Sequence, residues 1–220
     1  MRIGSFVIDR DPVYVGTRTL RVISAGLLLL GVVALGFAAV QLVRSFVVSP
    51  APLKLPVALV EGASVEEAFE HRLQTAYAQT RVTANGDGMF LTTNDPTRTE
   101  MVLGAAGEVL LAVAIGTSAL LLRPLLASIA DGRPFAPGNA RRLAHVALIT
   151  TAAAVLVPLI PRVATMQVLD RLELVEEGSP FLFGMTFSLT PVILFPLVLL
   201  VLAEAFRQGE KLHRDVEGLV

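Results

Sequence analysis

The chain has 220 residues, of which 54% are apolar and only 17% charged, where an average soluble domain is about 25% charged. Too little polar surface is left to cover such a chain in water, so a membrane protein is expected. A net charge of −1 and the absence of cysteine exclude a broadly basic nucleic-acid-binding surface, a disulfide framework, a thiolate metal site and a cysteine nucleophile.

Residues 1–21 form a polar lead, expected in the cytoplasm. Residues 22–43 follow as an apolar run broken only by Ser24 and Gln41. A hydrocarbon core of about 30 Å takes about 20 such residues in a helix. The run is too long, and starts too late, for a signal-peptide core, so it is expected to be transmembrane helix 1 and an uncleaved anchor.

Residues 44–100 are too many for a simple connector and are expected to form a small α+β extracytoplasmic insertion between helices 1 and 2. Residues 57–60 have strand character after Pro56. Ser64-Val65-Glu66-Glu67 is a capping box, in which Ser64 can accept from the Glu67 amide while Glu67 reaches back. It predicts a short helix to about Ala78, with Phe69, Leu73 and Tyr77 on one face. Residues 80–84 and 89–93, joined by Asn85-Gly86-Asp87-Gly88, read as a β-hairpin. Such a segment serves either as a ligand-sensing cap or as a lid over the helix ends.

Transmembrane helix 2 is expected over residues 101–122 and carries one intramembrane charge, Glu108. An ionised carboxylate there costs roughly 2.5–3.5 kcal/mol on insertion, so it must face the bundle interior, reach outward or be protonated. Thr150, Thr151 and Thr190 offer hydroxyl partners. Glu108 reads as a proton- or cation-responsive site, as a hydrogen-bonded fastener between helices, or as a carboxylate near the interface. Gly104, Gly107 and Gly116 on the same helix allow close backbone approach.

The cytoplasmic loop covers residues 123–142. Residues 123–130 continue the helix with Leu125, Leu126 and Ile129 on one side, and Asp131-Gly132 stops it, Gly suiting a left-handed position. Arg133-Pro134-Phe135 is expected to be extended. Pro137-Gly138-Asn139 makes a second turn, with Asn139 capping a helix from Ala140. Phe135 either packs against the helix ends or meets a partner. Transmembrane helix 3 is expected over residues 143–161, ended by Pro161-Arg162, with 162–180 as a second extracytoplasmic loop. Transmembrane helix 4 is expected over 181–206. Its Pro191 and Pro196 are tolerable because neighbouring groups re-satisfy the freed carbonyls. Residues 207–220 are the cytoplasmic tail, read either as a helix that meets the loop through Phe206, Leu212 and Val216 or as a solvated helix end.

Orientation follows from the basic residues. With the N-terminus inside, eleven of the eighteen fall on the inner side and seven outside, and the short 123–142 loop, with Arg123, Arg133, Arg141 and Arg142, weighs most. Both termini are therefore expected in the cytoplasm. The expected fold is an all-α membrane protein, a four-transmembrane-helix bundle carrying the α+β insertion.

No catalytic spacing is present: neither a P-loop, nor H-E-x-x-H, nor G-x-S-x-G. His71, His145 and His213 fall in different segments, too scattered for a metal site. No enzyme activity, catalytic residue, metal or cofactor is expected.

Leu122-Arg123-Pro124-Leu125-Leu126, Gly132-Arg133-Pro134-Phe135 and Asn139-Ala140-Arg141-Arg142-Leu143 together resemble the inner-loop signature of the DUF2975 family of bacterial membrane proteins. The tail, from Leu202-Ala203-Glu204-Ala205-Phe206-Arg207-Gln208-Gly209 to Asp215-Val216-Glu217-Gly218, looks like that family's ending. The resemblance implies a protein of the bacterial cytoplasmic (inner) membrane, with a regulatory role beside small helix-turn-helix proteins. The resemblance adds a cytosolic DNA-binding regulator as a partner; beside it, the lipid bilayer is expected to contact the chain and a homo-oligomer is an option, with no direct contact to nucleic acid. The inner face that would hold the regulator comprises Arg123, Gly132, Pro134, Phe135, Asn139, Arg142, Glu204, Phe206, Arg207, Gly209 and Asp215. Two alternatives are a small transporter or ion-responsive channel using Glu108, and an immunity or envelope-protection protein.

Overall fold

The computed structural model describes residues 16–47, 52–59, 80–85, 88–172, 181–182 and 189–217. Among the described residues four helices predominate: α1 (Thr17–Val47), α2 (Arg98–Ala130), α3 (Asn139–Arg171) and α4 (Leu189–Glu217). Between α1 and α2 lie the strands β1 (Leu53–Leu59), β2 (Thr80–Asn85) and β3 (Gly88–Thr93), and β4 (Phe181–Leu182) precedes α4. Residues 61–79, including the Ser64–Glu67 box and the helix expected from it, lie outside the described residues.

Among the described residues three helices, Arg18–Val47, Arg98–Ala130 and Asn139–Arg171, are long and apolar enough to cross a membrane. Their outward faces are apolar: on α1, Val22 is 71% exposed and Val40 64%. Water would not tolerate so continuous an apolar surface, whereas lipid chains match it. The extensive helix contacts run between chain neighbours, α1 with α2, α2 with α3 and α3 with α4.

Glycines bring the helices close. A side chain at Gly31 would meet Leu120 and the Gly116 carbonyl, and one at Gly116 would meet Leu35 and the Gly31 carbonyl. Gly107 faces Pro161 and the Val157 carbonyl, the very carbonyl that loses its helical donor because proline has no N–H. Of the three α2 glycines expected to permit close packing, Gly104 receives Leu53 of β1, Gly107 receives α3 and Gly116 receives α1.

The sheet has the order β2-β3-β1-β4. The hairpin expected over 80–93 is present, antiparallel from Thr80↔Thr93 to Asn85↔Gly88. β1 begins at Leu53, earlier than the strand expected at 57–60, and pairs with β3. Its other edge meets β4 only at Ala58 and Leu59. Beside Pro56, whose ring leaves no N–H to pair, Thr165 of α3 donates its hydroxyl to the Pro56 carbonyl at 3.1 Å. Leu55 and Leu91 are buried against Ala164, Val168, Leu169 and Leu172, so the sheet sits on the C-terminal end of α3.

That packing corrects three boundaries. Helix 3 does not stop at Pro161: α3 runs to Arg171, because Ala164, Val168 and Leu172, four apart, bury themselves under the sheet. Part of the expected 162–180 loop is thus helix. Phe181 does not open a helix but pairs with Leu59 in β4, and α4 begins at Leu189. At the other end α2 continues to Ala130 as expected, through Pro124. Its start at Arg98 is fixed by a capping box in which Thr97 accepts from the Glu100 amide and Glu100 accepts from the Thr97 amide at 2.8 Å.

Candidate functional site

The two ends of the helix row differ. The sheet closes one. The other, the loop end, gathers the α2–α3 loop, the start of α1 and the C-terminal half of α4. Arg21 of α1 lies 3.9 Å from Asp131 of the loop.

The loop is built locally. Asp131 donates its N–H to the Ala127 carbonyl at 3.0 Å, and Arg133 donates to Ser128 at 2.8 Å. Gly132 between them has φ +73, a left-handed conformation that side chains disfavour. Residues 133–135 are not extended. Ala136 donates to the Arg133 carbonyl at 3.2 Å, which closes a turn with Pro134 at its second position, where a fixed φ is favourable.

Asn139 does not cap α3. The cap position is Gly138, in the left-handed region, without a side-chain bond. Asn139 is 1% exposed and staples the loop instead. Its Nδ2 donates to Ser128 Oγ at 2.7 Å and to the Pro134 carbonyl at 3.0 Å, and its Oδ1 accepts from Arg142 Nη1 at 2.9 Å. A buried amide with both donors and its oxygen engaged fixes the path of residues 131–138.

So held, the loop presents Phe135 to α4. The Phe135 and Phe206 rings are 5.7 Å apart and tilted by 57°, a favourable aromatic geometry. The next turn of α4 offers Gly209, where a Cβ would overlap the Phe135 ring. Below this contact Leu125, Leu143 and Ala203 are buried together, joining α2, α3 and α4. Phe135 nevertheless stays 39% exposed, because its outer side lines a cleft of about 460 Å³ between the loop and α4. Gly132, Arg133, Pro134, Ala136 and Pro137 form one wall, and Glu210 and Arg214 the other. Arg214 pairs with Glu210 at 3.4 Å, while Arg133 is exposed, so the cleft carries an excess of positive charge.

Of the residues expected on this face, Gly132, Pro134 and Phe135 line the cleft, and Phe206, Gly209, Asn139 and Arg142 shape it. Glu204 and Arg207 make an exposed i,i+3 pair at 2.7 Å. Arg123 and Asp215 are exposed and line no part of it. Sequence reasoning missed Arg133, Glu210 and Arg214 as lining residues. The i,i+4 spacing of Glu210 and Arg214 was the available signal.

Glu108 lies elsewhere, nearer the sheet end. Its partner is not a threonine. Gln41 Nε2 of α1 donates to Glu108 Oε2 at 2.9 Å, whereas Thr150 and Thr151 bond carbonyls of their own helix; the side chain of Thr190 lies outside the described residues.

A family model described as "Protein of unknown function (DUF2975)" matches residues 68–219. Comparisons with curated proteins and with solved structures gave no match.

Proposed function

The chain belongs to the DUF2975 family, and from that premise we propose that it is a membrane-embedded regulatory protein whose loop-end cleft holds a cytosolic regulator. Four helices cross the bilayer in this reading, α4 through its apolar half, with the loop end in the cytoplasm, as the arginines of that end favour. The membrane would be the bacterial inner membrane. The observation that carries the reading is the half-open Phe135, held by a buried amide staple and flanked by Arg133 and Arg214 in a cleft large enough for side chains.

Lipid is a poorer occupant than protein. α2 continues eight residues beyond Leu122 to Ala130, about 12 Å of helix. Headgroups add only about 5–7 Å on each side of the hydrocarbon. In this reading the cleft opens into the cytosol, within reach of a soluble protein. The regulator is taken to be a helix-turn-helix protein on the strength of the family resemblance.

The experiment is a pull-down from gently solubilised membranes, comparing wild type with Phe135→Ala and with Arg133→Glu. A DNA-binding protein retained by wild type and lost from both variants is expected. Retention of the same protein by both variants, at wild-type level, removes the cleft from the reading.

A further inference from the structure

The bond between Gln41 and Glu108 leaves an unfinished polar surface. Glu108 is exposed and Gln41 half-buried. At 100° per residue Leu111 and Ile115 share the Glu108 face of α2, and they are 46% and 42% exposed. Phe37, one turn before Gln41 on α1, is 49% exposed. Toward the sheet this face ends under Leu53, which packs on Gly104. An amide and a carboxylate thus look outward from an apolar surface, both within the spans expected at residues 22–43 and 101–122.

A primary amide has two N–H donors, and a carboxylate has about four acceptor sites. Among the described residues, the single Gln41–Glu108 bond is all that either side chain makes. Lipid chains supply no hydrogen-bond partner, and ionisable groups inside membranes characteristically pair with protein.

We propose that a second copy of this chain covers the face, in a two-fold dimer whose Gln41–Glu108 pairs meet. A two-fold axis along the bilayer normal puts both pairs at one depth. Because each pair carries a spare donor and spare acceptors, the surface is self-complementary, as an isologous interface requires. The second N–H of Gln41 donates to Glu108 of the partner subunit, and Leu111, Ile115 and Phe37 close around the four polar groups. The dimer is independent of the cleft, which lies at the opposite end of α2.

The natural absence of cysteine makes the test direct. Leu111→Cys, Ile115→Cys and Val113→Cys are made singly in the full chain and oxidised in native membranes. Val113 is 39% exposed but lies about 160–200° around the helix from the other two. Disulfide-linked dimer is expected from the first two variants and at least about fivefold less from the third. Adding Glu108→Leu to Leu111→Cys lowers the linked fraction by at least about fivefold, and adding Glu108→Gln, which keeps an acceptor, does not. Equal linkage at all three positions, no linkage at 111 and 115, or linkage indifferent to Glu108→Leu would each overturn the dimer. The positional contrast decides even where the Leu variant fails to accumulate.

Discussion

Glu100, at the start of α2, accepts from Arg171, the last residue of α3, through Nε at 2.8 Å and Nη2 at 3.2 Å. The carboxylate is 3% exposed and the guanidinium side chain 37%. Arg171 also donates to the Asp95 carbonyl at 3.3 Å. One ion pair therefore ties the beginning of one helix to the end of the next, beneath the sheet. Arg171→Ala strands the buried carboxylate and is expected to cost about 2–3 kcal/mol. Glu100→Gln, which keeps an acceptor for the Thr97 amide without the charge, combined with Arg171→Ala costs less than Arg171→Ala alone. Thermal melting of the purified protein in detergent checks the order.

The α1–α2 crossing supplies a second prediction with its own control. Gly31→Val must push against Leu120, 2.7 Å from the place of a Cβ, and against the Gly116 carbonyl at 3.2 Å. Overpacking of this kind costs about 1–3 kcal/mol. Gly26 and Gly36 on the same helix have nothing within 4 Å. Gly26→Val and Gly36→Val should melt with wild type, and Gly31→Val clearly below it.

The notch at Gly209 gives a third. Gly209→Ala drives the Phe135 ring off α4, and a similar loss of about 1–3 kcal/mol is expected. In a Phe135→Ala background the same change should be nearly neutral, since nothing is left to displace. A double-mutant cycle on melting would show this as strong non-additivity. Additive losses would mean the ring does not occupy the notch.

Asn139→Ala removes the staple of the loop. Three side-chain bonds disappear from a buried site, at an expected cost of about 2–4 kcal/mol. The amides of Ala136 and Asn139, which bond Arg133 and Ala136, should exchange hydrogen at least about tenfold faster. Exchange unchanged in residues 131–139 would assign the loop's rigidity to something else.

These sites show where a single sequence is readable. Apolar runs announce helices long enough to cross a membrane because composition alone carries the signal, and Gly132 and Phe135 stand out because a stop and an aromatic between prolines have local meanings. Helix extent past the apolar run does not read the same way. Pro161 looks like a terminator until Ala164, Val168 and Leu172 are seen to have a sheet to lie under, although their spacing was visible. Thr97 and Glu100 form a capping box as plain as the one at Ser64 and Glu67, but an apolar run that begins at Met101 draws the start of the helix past it. β4 could not be read at all: two residues become a strand only because Ala58 and Leu59 are there to pair with them. Asn139 has the local look of a cap for a helix from Ala140, but it is the first residue of α3, with Gly138 in the cap position. Its side chain turns back into the loop, where Ser128, eleven residues earlier, supplies a partner.

The neighbour-by-neighbour packing of the helices has a consequence for synthesis. As the chain leaves the ribosome, α2 finds α1 already made, α3 finds α2, and α4 finds α3, so each helix can dock on arrival. The sheet breaks that order over the longest wait described. β3 reaches β1 soon after it is made, but the partner of Ala58 and Leu59 is Phe181-Leu182, about 120 residues later, a delay of roughly 6–25 s at ordinary elongation rates. During that delay one edge of β1 stands ready to pair with whatever strand comes by. β4, the shortest element of the fold, ends the wait.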